Sequence, residues 1–153
     1  LSVEQIDQAE QFLFHPGISV VKAARIATSS GDIHSMHDPT EGGLVAGLHE
    51  LAVASGKGLR VFADRVPIFP ETHAICRCLQ IDPLRLIASG ALLIGASAQT
   101  VEKVVAALKR EEIPVGEIAE VVPGNDGMQI ESGGATLPLI PPDRDEIAKV
   151  FES

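Results

Sequence analysis

The chain has 153 residues, which suits one globular domain, and its 45% hydrophobic and 22% charged content is typical of folded and not of disordered proteins. Its net charge of −9 argues against nonspecific binding to nucleic acid or to an anionic membrane, since both need a basic surface. No apolar run reaches the about 20 residues that span a bilayer and no secretion leader is visible, so we expect a cytoplasmic protein.

Hydrophobic periodicity and turn residues predict helices interleaved with strands. Ser2 and Ser97 are candidate N-caps, and Gly56 is a candidate helix stop. In chain order the predicted elements are a helix at 2–14, a helix at 19–28, a strand at 33–36, a helix at 40–54, a strand at 59–63, a helix at 71–79, a short helix at 82–84, a strand at 91–96, a helix at 98–111, strands at 116–122, 128–131 and 135–139, and a helix at 143–151.

The last three predicted strands follow one another through short turns such as 124–127. That order favours antiparallel pairs within a mixed sheet over a doubly wound parallel sheet. We therefore predict an α/β (α+β) fold in which packed helices cover a layered mixed sheet. No internal repeat or linker divides the chain, so residues 1–153 are expected to form a single domain.

The most informative run is 37–44, which predicts a helix start built around adjacent glycines. Asp38 is a candidate N-cap, Pro39 suits the first helical position, and Glu41 stands where a capping-box carboxylate would reach back. Gly42 and Gly43 inside the first turn cost about 1 kcal/mol each relative to alanine. The bare backbone is therefore needed there, either for tight packing or for the approach of a ligand.

Two interpretations of this run stay open. In one, the Thr40 hydroxyl and the amides near Gly42 and Gly43 bind a phosphate at the helix N-terminus. In the other, the glycines only permit close packing of an ordinary capped helix. Asp38 and Glu41 argue against the phosphate interpretation, because repulsion between a carboxylate and a phosphate at ~5 Å costs on the order of 1–3 kcal/mol. Either magnesium bridges the anions or the carboxylates turn inward as caps.

Other reactive side chains have simpler interpretations. His34 and His37 would point to opposite faces of a strand, so surface or capping roles are expected, although His37 could also serve as a general acid or base. Cys76 and Cys78 lack a second pair to complete a zinc site and are expected to be buried free thiols. Ser89 lacks the Gly-x-Ser-x-Gly context of a nucleophile and is assigned a structural role. No metal ligands and no catalytic residue are assigned.

Two motifs carry a resemblance to a known family. The runs Met36-His37-Asp38-Pro39-Thr40-Glu41-Gly42-Gly43-Leu44 and Ala88-Ser89-Gly90-Ala91-Leu92-Leu93-Ile94 resemble the C-terminal domain of the AIR (aminoimidazole ribonucleotide) synthase-related superfamily. Within it the chain is most similar to the hydrogenase expression/formation protein HypE and its uncharacterised relatives, over residues of about 17 to 138. The resemblance implies a partly ferredoxin-like α/β domain with the first motif beside an active-site cleft. The nucleotide- or phosphate-binding residues it implies are Asp38, Thr40, Gly42 and Gly43.

The resemblance also implies a larger protein. An N-terminal domain, absent from this chain, would hold most of the ATP and magnesium, and the full-length protein would be an ATP-dependent synthase or dehydratase that can form a homodimer. It would activate an amide-type oxygen by phosphorylation, on a small molecule or on a group borne by a protein thiol, as in hydrogenase maturation. The isolated domain is expected to be inactive. In the HypE branch the thiol belongs to a terminal cysteine, whereas this chain has no cysteine after Cys78, so a relative with another substrate fits equally well.

A second hypothesis is a non-catalytic ligand-binding or assembly domain that keeps the same scaffold. Glu41 supports it, because many of the relatives with the most similar motif have a basic residue at this position. A third hypothesis, a ferredoxin-like module that senses small molecules, rests on fold class alone.

Overall fold

The computed structural model describes residues 1–151. The helices are α1 (Val3–Gln11), α2 (Val21–Ser30), α3 (Gly43–Ser55), α4 (Pro70–Leu79), α5 (Val101–Arg110) and α6 (Ala148–Phe151). The strands are β1 (Ile33–His37), β2 (Gly58–Phe62), β3 (Leu93–Ala96), β4 (Ala119–Val122), β5 (Met128–Ser132) and β6 (Ala135–Pro138).

The strands form two sheets. β1 and β3 make an antiparallel pair, and the other four strands lie in the order β4-β2-β5-β6. In the larger sheet β2 runs parallel to β5, while β4 and β6 are antiparallel to their neighbours. The predicted α/β fold with a mixed sheet and antiparallel pairs is confirmed.

Two apolar clusters hold the layers together. In the first, α3 packs through Val45, Leu48 and Ala52 onto Leu59 and Val61 of β2. In the second, α2 and α5 meet around the buried residues Ala27, Val104 and Leu108, with Ile33 and Ile94 of the small sheet packed against them. Burial of each large aliphatic side chain contributes roughly 1.5–3 kcal/mol. Helix α3 therefore has a fixed position relative to both sheets.

The predicted ends of several helices are corrected by the structure. Helix α3 begins at Gly43 and not at residue 40, and Gly42 occupies the N-cap position in a left-handed conformation. Residues 82–84 form a turn, and of the predicted terminal helix 143–151 only α6 is helical. The remaining elements agree with the prediction in type and differ by a few residues at their ends.

Helix capping was predicted well at some ends and wrongly at others. Ser2 caps α1 and Gly56 ends α3 in a left-handed conformation, as expected, and Gln5 completes a capping box with Ser2 that was not predicted. Ser97 does not cap α5, which begins at Val101; its hydroxyl instead accepts a hydrogen bond of 3.3 Å from the Gln99 amide in the preceding turn. Within residues 1–151 no helix is long and apolar enough to cross a membrane.

Candidate functional site

The loop between β1 and α3 carries the predicted site residues. Pro39 at its centre is fully buried. The Thr40 carbonyl accepts hydrogen bonds from the amides of Gly43 (3.1 Å) and Ala88 (3.2 Å), so the loop is fixed to both the helix and the turn before β3. The side chains of Asp38, Thr40 and Glu41 are exposed. The loop thus presents three polar side chains on a backbone with little freedom to move.

Gly43 lies against the backbone of the turn 83–86. A Cβ atom at this position would stand 2.4 Å from the Leu86 carbonyl oxygen and 2.8 Å from that of Leu84. Its φ of 65° is also one that residues with a side chain rarely adopt. Two residues further along, the Val45 amide donates to the Leu84 carbonyl at 3.0 Å, which adds a second contact between α3 and this turn. Close backbone packing therefore requires a glycine at position 43.

Gly42 precedes the first residue of α3 and is bonded to a distant part of the chain. Its amide donates to Asp145 Oδ2 at 2.8 Å, and its φ is 75°. The expectation that Asp38 is the N-cap and that Glu41 completes a capping box is wrong, since Gly42 occupies the N-cap position and no side chain of the loop caps the helix. A carboxylate at this end of a helix is favoured by the helix dipole, and Asp145 supplies it.

Asp145 belongs to a segment that we call the C-terminal clip, residues 141–149, which packs on the loop and on the turn 83–86. Glu146, the next residue, is 6% exposed. Its carboxylate accepts hydrogen bonds from the Asp82 amide (3.1 Å) and from Lys149 Nζ (2.6 Å), while its own amide donates to the Arg85 carbonyl (3.2 Å).

Opposing influences act on the pKa of Glu146. Burial raises the pKa, but the hydrogen bonds from Lys149 and the Asp82 amide, with the charges of Lys149 and Arg85, outweigh burial and hold it below its ordinary value. The clip therefore carries a charged carboxylate into the interior.

These contacts define what the predicted site residues can offer a ligand. Asp38 and Thr40 direct their side chains to solvent, whereas Gly42 and Gly43 are buried and their amides already donate within the protein. The predicted phosphate contact by these four residues stays a prediction. The structure adds that the two glycine amides can reach a phosphate only after leaving their present acceptors.

The histidines near the loop are each paired with one carboxylate. His37 Nε2 lies 2.6 Å from Glu50 Oε2 on α3, and His34 Nε2 lies 3.3 Å from Asp32 Oδ2. Gly47 of α3 faces both Pro39 and His37, since a Cβ there would stand 2.8 Å from Pro39 Cβ and 3.2 Å from His37 Cδ2. Within residues 1–151, no group of three His, Cys, Asp or Glu side chains could hold a metal ion.

The two cysteines differ from the prediction that both are buried. Cys76 is buried, but Cys78, two positions further along α4, is exposed. Burial raises the pKa of the Cys76 thiol, and the nearby charges of Asp82 and Glu146 raise it further. Cys76 is therefore an unreactive part of the core.

Asp145 and Glu146 were missed by sequence reasoning. Both are far from their partners in sequence: Asp145 is 103 positions from Gly42, and Glu146 is 64 positions from Asp82. No local pattern marks either residue, because the bonded groups are backbone amides, which every position carries.

Comparison with known proteins decides the family. Residues 7–131 match the profile of the AIR synthase related protein, C-terminal domain. This chain belongs to that family.

Individual members of the AIR synthase related family support the assignment. Carbamoyl dehydratase HypE of Rhizobium leguminosarum is 33% identical over 100 residues, which cover 65% of this chain and 28% of that protein. The crystal structure of Escherichia coli HypE has a TM-score of 0.71 at 26% identity, covering 86% of this chain and 42% of that one. A structure of HypE in complex with ATP has a TM-score of 0.69 at 28% identity, covering 78% and 38%. The chain thus spans less than half the length of these relatives.

Proposed function

We propose that this chain is the C-terminal domain of an ATP-dependent, HypE-like protein that activates an amide-type oxygen by phosphorylation, as in hydrogenase maturation. The family membership and the similarity to carbamoyl dehydratase HypE support this proposal. The observation that carries it is the set of exposed side chains of Asp38, Thr40 and Glu41 on a loop fixed by buried Pro39 and by the Thr40 carbonyl. Functional side chains on a rigid backbone are what positioned chemistry requires.

Within this proposal Asp38 and Thr40 contact the nucleotide or the phosphorylated substrate directly. The Thr40 hydroxyl can donate to a phosphate oxygen, and the Asp38 carboxylate can accept from a substrate N–H or O–H group. Gly42 and Gly43 then contribute mainly by letting the loop approach the turn 83–86 and the clip. Direct contact of the glycine amides with phosphate is the part of the proposal that needs a change in hydrogen bonding.

ATP and magnesium would be held mainly by an N-terminal domain outside this chain. The donor set on this side fits a supporting role, because Asp38 and Glu41 are exposed carboxylates and Mg²⁺ takes one or two carboxylates together with phosphate oxygens and water. When bound, magnesium would neutralise the negative charge of the phosphates. The substrate is a small molecule or a group carried on a protein thiol, and a homodimer of the full-length protein belongs to the same proposal.

The first experiment maps binding on the 153-residue chain by titrating ATP with magnesium, and separately ADP, while recording amide chemical shifts. We expect the largest changes at residues 40–44 and their loss in Thr40→Ala. Thr28→Ala is the matched control, because Thr28 is an exposed threonine on α2. Changes that persist in Thr40→Ala, or that map elsewhere, contradict the site.

A second experiment measures ATP hydrolysis. We expect the 153-residue chain to show no turnover above the buffer rate, because residues 1–151 contain no cluster that could hold a metal ion by itself. Turnover comparable to that of a full-length HypE protein would contradict the proposal that a separate N-terminal domain holds most of the ATP and magnesium.

A second candidate function, a non-catalytic ligand-binding or assembly domain, is favoured by one specific observation. Asp145 already satisfies the Gly42 amide, and Glu41 adds a further negative charge to the loop. Under this alternative neither ATP with magnesium nor ADP changes the amide shifts of residues 40–44.

A further inference from the structure

A cavity of about 290 Å³ lies between the end of β2 and the β5–β6 hairpin, and it shares no residue with the Asp38–Gly43 loop. The residues that line it include Phe62, Asp64, Arg65, Ser132 and Thr136. The volume is slightly below the about 300 Å³ at which drug-sized ligand pockets begin, so the ligand would be a small metabolite.

Arg65 is the most telling residue of this cavity. Its guanidinium carbon stands 3.9 Å from the centroid of the Phe62 ring. Arg65 is exposed, and a guanidinium in contact with an aromatic ring keeps N–H donors that can bind a carboxylate. In the described part of the chain no carboxylate lies within ion-pair distance of Arg65, although the protein carries 21 acidic residues. A cation held in place without a counter-ion is suited to an incoming anion.

The backbone that carries Arg65 is also fixed. The Phe62 amide donates to the Ile118 carbonyl at 2.8 Å, and the Val66 amide closes the short turn at Ala63 with a bond of 3.1 Å. Gly116 packs directly on this turn, since a Cβ there would stand 2.4 Å from the Arg65 carbonyl oxygen. The backbone of Arg65 therefore lies in an ordered turn.

The other charges around the cavity define the chemistry of the ligand. Arg60 Nε donates to Glu131 Oε1 at 2.6 Å, so these two neutralise each other. Asp64 accepts only a long bond of 3.3 Å from the Gly133 amide and forms no ion pair among residues 1–151. One cation and one carboxylate, Arg65 and Asp64, are thus left facing the same small cavity.

We propose that this cavity binds a small zwitterionic amino acid, with the ligand carboxylate on the Arg65 guanidinium and the ligand ammonium directed to Asp64. A simple anion would meet the Asp64 charge and a simple cation would meet the Arg65 charge, whereas a zwitterion matches both. The hydroxyls of Ser132 and Thr136 on the cavity wall supply further polar contacts.

The proposal is tested by titrating the 153-residue chain with L-alanine and with 4-aminobutyrate, which differ in the spacing of their charges, and recording amide chemical shifts. We expect one of the two to shift residues 131–136 and 64–65 with millimolar affinity. Propionate, which lacks the ammonium, and L-alaninamide, which lacks the carboxylate, should bind about tenfold more weakly, which corresponds to roughly 1.4 kcal/mol.

Two variants complete the test. Arg65→Gln should weaken binding of the amino acid about tenfold or more, whereas Arg25→Gln, which changes an exposed arginine on α2, should leave it unchanged. A thermal unfolding curve of each variant shows whether it is folded. If Arg65→Gln is unfolded, the binding test is repeated with Arg65→Lys, which keeps the charge but not the planar guanidinium. Shifts equal in Arg65→Gln and in the unsubstituted chain, equal binding of propionate, or no response to either amino acid would overturn the proposal.

Discussion

The Asp38–Gly43 loop and the β5–β6 hairpin each contain two adjacent glycines with positive φ, but glycine is required for different physical reasons in the two places. At Gly43 an added Cβ would collide with two backbone carbonyls, the nearer at 2.4 Å. At Gly134 in the hairpin an added Cβ would have no atom within 4 Å. The hairpin glycine thus serves only the turn conformation, whereas the loop glycine also permits close packing. The same dipeptide can therefore mark either a surface turn or a packed junction, and the surroundings decide which.

The largest expected effect comes from Gly43→Ala. Backbone strain at positive φ adds to a collision with carbonyl groups that cannot move alone, so we expect a loss of about 3 kcal/mol in the free energy of unfolding. Urea denaturation measures it. Gly134→Ala, with a φ of 83° but open space, is the matched control and should lose about 1 kcal/mol. Equal losses at the two positions would show that close backbone packing at Gly43 does not add to the cost of the substitution.

The next effect comes from Glu146→Gln in the clip. The substitution removes the charge that binds Lys149 and the Asp82 amide, and we expect a loss of about 2 kcal/mol at pH 7. Because the folded-state pKa of Glu146 lies below its ordinary value, its contribution is complete above that ordinary value and is lost as the pH falls through the folded-state pKa.

Urea denaturation from pH 7 down to about pH 3 checks this sign, since an unperturbed Glu titrates at about 4.3. The difference between the unsubstituted chain and Glu146→Gln should shrink at the acid end of the series. A difference that grows as the pH falls would show that the sign is wrong.

Asp145→Ala should have a smaller effect on stability. It leaves the Gly42 amide without its acceptor in a partly buried position, which costs about 1–2 kcal/mol. Asp143→Ala, an exposed carboxylate of the same segment, should change the unfolding free energy little. Amide hydrogen exchange at Gly42 sharpens the result, because exchange should become faster in Asp145→Ala and stay unchanged in Asp143→Ala.

The smallest effect is expected in the hairpin sheet, from Glu131→Gln. This residue pairs with Arg60, whose side chain is 52% exposed, and water and salt screen such a pair. The change in unfolding free energy should lie within the error of the urea measurement. A loss as large as that of Glu146→Gln would show that the hairpin is as tightly packed as the clip.

The sequence predicted those features that depend on neighbouring residues. The Ser2 N-cap, the Gly56 helix stop and the strand predicted at 33–36 are all determined by side chains within a few positions. The need for a bare backbone at Gly43 was predicted as well, since a glycine in a helix start is costly without a reason. The partner that supplies this reason, the carbonyls of Leu84 and Leu86, could not be predicted from local pattern.

The false prediction at Asp38 has the same cause. A serine, aspartate or threonine before a helix is a good statistical cap, but the Gly42 amide finds Asp145 instead, 103 positions away. Long-range pairing of a backbone amide leaves no periodic signal in the sequence. The site predicted at Asp38, Thr40, Gly42 and Gly43 stays a prediction, and the clip packed against it had no counterpart in the sequence analysis.

The clip has a practical consequence for choosing where to end an expressed version of this domain. The family profile ends at residue 131, so a cloning boundary placed there would delete β6 together with both carboxylates that fasten α3 and the turn 83–86. The shortened polypeptide would keep the motif at residues 36–44 and yet lose the Asp145 carboxylate that accepts the hydrogen bond of the Gly42 amide. Any expression boundary should therefore run past Lys149.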